Sequence, residues 1–210
     1  MRLYDYAASG NCFKVRLLLG LLGQEYERVP VDIFAGDTLT DAFGALNPLR
    51  ETPVLEIDDG RRLTQSNAIL WFLAEGTEFL PGDAFARGEV AAWLSFEQER
   101  VMGGIGGPRF RALTGRPLDA SRLQTGRGAL RVLDDHLTFR EWLVGDAPTI
   151  ADVGVFAYSS RAPDAGLEVP THVAAWLERV RALPGFADDY VSYPDNARLG
   201  RSRSIYDSMN

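Results

Sequence analysis

Residues 47–68, NPLRETPVLEIDDGRRLTQSNA, constrain this chain more than any other stretch. Pro53 stands immediately before the apolar run Val54-Leu55-Glu56-Ile57, and a proline inside a strand would remove a ladder donor. It therefore belongs at a strand's first residue or edge, and an X–Pro bond is where a cis peptide costs least, about 0.5–1 kcal/mol. A bend at Thr52-Pro53 leaves the N–H and C=O of Val54 to pair with an extended peptide. Asp58-Asp59-Gly60 is a hairpin turn signal between strands at 54–57 and 61–64. Gln65-Ser66 follows directly, with Ser66 as the cap of a helix reaching about residue 76. A helix start carrying amide and hydroxyl donors suits a carboxylate. Together these residues read as a socket for a short anionic peptide.

Around that socket the pattern predicts a strand at 2–6, a helix at 11–22 ended by Gly23, a strand at 27–31 and a short helix at 38–46 closed by Asn47-Pro48. The order is βαβαββα over residues 1–77. Residues 78–83 contain Pro81-Gly82 and read as a linker. From there the signals are helical, so residues 84–210 form an all-helical domain. A long helix spans 84–102, with Val90, Trp93, Leu94 and Val101 at roughly helical spacing. Gly103-Gly104-Ile105-Gly106-Gly107 interrupts or ends it. Further helices fall at 121–139, 150–160 and 173–183. Thr149 with Asp152 three residues on, before an apolar run, is a capping box for the third of these. The fold class is α/β plus all-α.

Bulk composition narrows the function classes. A net charge of −7 argues against broad binding to nucleic acid, which needs a basic face. Of 22 basic residues only Lys14 is a lysine, which by itself carries no functional reading. Cys12 is the single cysteine, so no internal disulfide or cysteine-rich zinc site forms, and a reducing, cytoplasmic setting fits. No apolar run reaches the roughly 18 residues of a membrane span. No His/Asp spacing suggests a metal, and His136 and His172 read as surface histidines.

Asn47-Pro48, Thr52-Pro53-Val54, Gln65-Ser66 and the capped helix from Thr149 to Asp152 resemble, in this order, the cytosolic glutathione S-transferases. That resemblance covers about residues 1–190 and implies a thioredoxin-like N-terminal domain, a helical C-terminal domain, a homodimer and glutathione as co-substrate. By resemblance the backbone of Val54, with Thr52 and Pro53, holds the cysteinyl part of glutathione. Gln65 and Ser66 take the γ-glutamyl end. Arg50-Glu51 departs from the family's usual Gly followed by Lys or Gln, which makes Arg50 a candidate for the glycyl carboxylate.

Transferase chemistry needs the glutathione thiol as thiolate, and a free thiol has a pKa near 8.5. A hydrogen bond and a helix N-terminus must lower it. Ser9-Gly10-Asn11-Cys12 lies between the first strand and first helix, and Ser9 is the first candidate donor to the sulfur; the arrangement resembles the Ser- or Thr-containing bacterial members of the family, which implies Asn11 as second contact. Cys12 is the alternative: a low-pKa cysteine there would form a mixed disulfide and support thiol transfer. Tyr6, within the strand, sits too early to project from the loop. The resemblance implies an acceptor site between the loop after the first strand and the first helices of the second domain, where Phe13, Met102, Ile105, Pro108, Arg109 and Phe110 are candidates. Glutathione-dependent reduction of peroxides or disulfides, and a non-catalytic binding module, are the alternatives to conjugation.

Overall fold

Four short strands form one mixed sheet in the order β2-β1-β3-β4. The computed structural model describes residues 1–207, so the last three residues of the helical region lie outside the description. β1 (Arg2–Asp5) pairs in parallel with β2 (Glu27–Pro30), and α1 (Gly10–Leu21) makes the crossover between them. β3 (Val54–Glu56) runs antiparallel to β1 and to β4 (Arg62–Thr64), so it is an interior strand. Alternation along β1 turns Leu3 and Asp5 inward. Asp5 is tolerated there because the guanidinium groups of Arg16 and Arg28 both pair with it.

α1 buries Phe13, Val15, Leu17, Leu18 and Leu19, more than one face, because it lies between the sheet and the helical domain. It packs on α3 (Ser66–Ala74) and on α7 (Ile150–Ser159). Every residue of α7 is buried, and Thr149 starts it as the sequence predicts. The Thr149 hydroxyl accepts from Ala151 N–H at 3.2 Å, and Asp152 accepts from Thr149 N–H at 2.9 Å. Asp152 also accepts from Leu143 N–H and from Trp176 Nε1, each at 3.0 Å. The carboxylate thus ties the start of α7 to the preceding loop and to α8 (Thr171–Arg181).

Three local expectations change. The helix expected at 38–46 is a 3-10 turn (Asp37–Leu39) followed by α2 (Asp41–Leu46), separated by Thr40, whose hydroxyl caps α2 through Phe43 N–H. Gln65, with φ 69°, holds the cap position of α3, and Ser66 is the first helical residue. The glycine run at 103–107 does not break the chain's helical course. α4 (Ala84–Phe96) passes into wide i→i+5 turns (Glu97–Gly106) and then into α5 (Gly107–Thr114). An added Cβ at Gly104 would lie 2.4 Å from the backbone nitrogen of Gly126 in α6 (Ala120–Leu137), and one at Gly106 would lie 2.7 Å from the Tyr158 ring. These glycines bring helices into close approach.

Beyond α8 the chain returns across the N-terminal domain. Arg16 Nε donates to both oxygens of Asp189 at 2.9 and 2.8 Å, and the Tyr190 ring stacks on Phe13 with centroids 5.1 Å apart. Arg203 N–H donates to the carbonyl of Phe34 at 2.8 Å. This return path supplies one wall of the site.

Candidate active site

The β1–α1 turn, the loop into β3 and the start of α3 meet at a cavity of about 250 Å³. The segment from Gln98 to Phe110 and the returning C-terminal chain face them across it. Ser9 lines the cavity as the N-cap of α1, with extended backbone (φ −86°, ψ 125°). Its oxygen accepts from Cys12 N–H at 3.3 Å, which leaves the hydroxyl proton available to donate. Asn11, in the first turn of α1, lines the same cavity. Its side-chain oxygen accepts from Lys14 Nζ at 2.9 Å and from the Ser66 hydroxyl at 3.3 Å.

Cys12 stands elsewhere. It is fully buried in a cluster with Tyr6, Ala8, Phe34 and Ala197, and its sulfur accepts from Tyr6 N–H at 3.4 Å. Burial pushes its thiol up to about 11, so at neutral pH it is a thiol with no access to the cavity. A mixed disulfide through Cys12 is therefore set aside. The reason is helical geometry: the residue after Asn11 points about 100° further round the helix, into the domain.

The bond Thr52-Pro53 is cis. Thr52 lines the cavity, and its backbone N–H and C=O pair with no other backbone group among the described residues. Val54, expected to present its backbone, is fully buried with β1 and β4 on either side and does not line the cavity. The free extended backbone is thus on the other side of Pro53, at Thr52. Gln65 lines the cavity in a left-handed conformation that few non-glycine residues adopt. Ser66 is buried with its hydroxyl turned toward Asn11, so only its backbone at the first turn of α3 remains for a ligand. Arg50 does not line the cavity: its guanidinium donates to the carbonyls of Thr38 and Thr40 at 2.9 and 2.7 Å and braces the entry to α2. Its neighbour Glu51 faces the cavity instead, and burial raises its carboxyl above the usual range.

Of the six acceptor-site candidates, Met102 and Phe110 line the cavity. Phe13 lies in the core against Tyr190, and Ile105 is fully buried. The i→i+5 turns put Gly107 under Met102, through the bond from Gly107 N–H to the Met102 carbonyl, so Ile105 falls on another face. Pro108 and Arg109 are buried as well; Arg109 is paired with Asp164 at 2.8 Å and with the Tyr190 hydroxyl at 3.0 Å.

Sequence reasoning misses the aromatic wall. Phe34 and Phe110 stack with centroids 5.9 Å apart and 10° between planes, and Tyr193 and Tyr206 flank them. Tyr158 closes the floor of the cavity. Tyr6 follows the last residue of β1, outside the strand, and its buried hydroxyl has no hydrogen-bond partner among the described residues. Burial raises its pKa, so it keeps its proton. No local signal marks these residues, because they converge from five separate parts of the chain. Among the described residues the only carboxylate lining the cavity is Glu51, and no cationic side chain lines it.

A larger groove of about 820 Å³ runs between α4 and α6, lined by Phe96, Arg100, Arg127, Arg131 and Val132, away from this chemistry. His136 packs edge-on against Trp93, and His172 pairs with Asp134, both remote from Ser9. Among the described residues no three His, Cys, Asp or Glu side chains group as a metal site needs. No helix there is long and apolar enough to cross a membrane.

A thioredoxin-like sheet with a cis proline at the start of its interior strand β3, joined to an all-helical domain, defines the class of two-domain fold to which the chain belongs. The family model for the glutathione S-transferase N-terminal domain matches residues 8–75, and that for the C-terminal domain matches residues 114–184. The chain is 34% identical to a maleylacetoacetate isomerase of Rhizobium meliloti, over 93% of this chain and 97% of that protein. It is 32% identical to glutathione S-transferase 3 of Zea mays, over 92% and 95%. The crystal structure of a glutathione S-transferase from Pseudomonas fluorescens superposes with a TM-score of 0.86 at 39% identity, covering 90% of this chain and 98% of that one. The chain belongs to the glutathione S-transferase family.

Proposed function

We propose that Ser9 and Asn11 hold the sulfur of glutathione as a thiolate that attacks a small electrophile. The observation that carries this is the convergence on one cavity of two helix starts, a capping serine with a free hydroxyl proton and the unpaired backbone of Thr52. Thr52 offers an N–H and a C=O to the cysteinyl unit as a short strand would. The first turn of α3, with Gln65 and the N–H of Ser66, takes the γ-glutamyl carboxylate. The Ser9 hydroxyl, an Asn11 N–H and the positive end of the α1 dipole lower the thiol from its usual value near 8.5. The sulfur then forms a bond to the electrophilic carbon, and either a leaving group departs or the adduct takes up a proton.

The aromatic wall fits a small, planar acceptor without negative charge, since an anion would meet Glu51 and no cation. Met102, Phe34 and Phe110 supply apolar contact, and the Tyr6 hydroxyl is available to donate to a polar substituent. The family's homodimer is adopted for this chain as well, with the groove between α4 and α6 as the contact region. A cytoplasmic setting fits a reaction that consumes a reduced thiol.

Titration with glutathione, followed by calorimetry and thiolate absorbance, tests the reading together with turnover of an aryl halide. At about 100 times Kd the ligand should add about 2.7 kcal/mol of stability. A protein that shows no glutathione-dependent thermal shift is not a glutathione transferase. Binding without turnover across electrophiles, peroxides and disulfides points instead to a binding module.

A further inference from the structure

Behind the cavity lies a buried charge that the reaction as described does not use. Lys14, the chain's single lysine, is fully buried and pairs with the equally buried Glu97 at 2.7 Å. The pair joins α1 of the N-terminal domain to the first wide turn after α4. Lys14 Nζ also reaches Asn11 Oδ1 at 2.9 Å, Ser66 Oγ at 3.4 Å and Asn67 Oδ1 at 3.5 Å, and lies 5.4 Å from the centre of the Tyr158 ring. Asn67 in turn donates to Glu97 Oε2 at 3.0 Å. An ammonium has three donors and no acceptor, so the atom of Asn11 facing it must be the oxygen. The Ser66 hydroxyl donates to that same oxygen. Both fix the Asn11 amide in one orientation, with its nitrogen left for the cavity.

We propose that Lys14 is a positioning residue: held by Glu97, its ammonium locks the Asn11 amide with the oxygen inward and the N–H groups toward the glutathione sulfur. This rests on the assignment of Asn11 to the sulfur given above. With the amide free to rotate, its oxygen would face the sulfur half the time and repel the thiolate. Glu97, at 2.7 Å, favours the charged form of Lys14. Burial lowers the Lys14 pKa, and Glu97 is the group that opposes it. The groups facing Lys14 are Glu97 from the wide turn, Tyr158 from α7, and the uncharged Ser66 and Asn67 from α3. Removing one charge of a buried pair strands the other, whereas removing both is tolerated far better.

The test is the double variant Lys14→Met/Glu97→Gln, read by the pH titration of the thiolate band of bound glutathione. The thiol pKa should rise by about one unit, which lowers kcat about tenfold below the wild-type pKa and restores it in alkali. Below the wild-type thiol pKa the Kd for glutathione should change by less than about threefold, since the Thr52 backbone and the Gln65 cap are untouched. Asn11→Ala should raise the thiol pKa in the wild type and add nothing in the double variant, because both changes remove the same contact. A folded double variant with the wild-type thiol pKa overturns the proposal, as does a further rise on adding Asn11→Ala. Should the double variant fail to fold, Lys14→Leu/Glu97→Leu, an apolar pair that again removes both charges together, carries the same expectation. A wild-type complex without a thiolate band overturns the transferase reading itself; a band present in the wild type and unshifted in the variants overturns only the role of Lys14.

Discussion

Ser9→Ala separates the two roles that one side chain combines. The Ser9 oxygen caps α1 by accepting from Cys12 N–H at 3.3 Å, and its proton is the proposed donor to the sulfur. Losing a serine cap costs about 1 kcal/mol. For a chain of this length that is a fall in Tm of about 2–4 °C. Losing a hydrogen bond to a charged group costs about 1.5–3 kcal/mol, which at 1.36 kcal/mol per unit raises the bound thiol's pKa by about 1–2 units. The sign follows from the donor's preference for the anion: without it the thiolate is less stable, and a higher pH is needed to form it. Turnover should fall about 10- to 100-fold below the wild-type thiol pKa and recover above the raised one. Thiolate absorbance of the glutathione complex against pH reads the pKa directly, and thermal denaturation of the free protein reads the cap. Ser9→Thr, which retains the hydroxyl, should restore both. A variant that loses the expected few degrees yet keeps the wild-type thiol pKa would show that Ser9 is a helix cap only and refute the assignment.

Cys12, with its thiol pushed up to about 11, should resist thiol-specific alkylation of the native protein at pH 8, where roughly one molecule in a thousand carries the thiolate; rapid labelling of the folded chain would contradict its burial. Asp152→Ala leaves the N–H groups of Leu143 and Thr149 and the Trp176 indole without their acceptor, and should cost at least about 3 kcal/mol in chemical denaturation. Gly104→Ala drives a methyl group into the backbone of Gly126, where no side chain can yield, and should cost about 3 kcal/mol or prevent folding. For Asp134, burial acts to raise the pKa, but hydrogen bonds from the His172 side chain and from the His172 and Val173 N–H groups outweigh it and lower the carboxyl. Its contribution to stability is then complete above the usual carboxylate range and lost as pH falls through the depressed value, so Asp134→Asn should flatten the acid side of a stability–pH curve.

Much of the fold is legible along the chain because its signals are local. Pro53 before an apolar run, the Asp58-Asp59-Gly60 turn and the Thr149–Asp152 box each act over a few residues, and each appears where the sequence places it. The run at 103–107 is misread for the opposite reason. Glycine weakens a helix when only neighbours in sequence are considered, while here its missing side chain admits Gly126 and Tyr158 from distant helices.

Within the site the same division holds. Ser9, Asn11, Thr52 and Gln65, all named from sequence, line the cavity because turns and helix starts fix where their backbones go. The Cys12 and Val54 expectations fail by one and two positions, since one residue along a helix turns a side chain about 100° round the axis, and beyond Pro53 the chain already lies between β1 and β4. The aromatic wall and the Lys14–Glu97 pair have no sequence signature at all. Tyr158, Tyr193 and Tyr206 line the cavity only because α7 is buried beside it and the chain beyond α8 folds back across the sheet domain. By itself, then, the sequence determines the class of fold and the family to which the chain belongs. Which atoms meet the sulfur, and what shape of acceptor can follow, is decided by packing between segments far apart in the chain, where the identity of a contact depends on its partner more than on its neighbours.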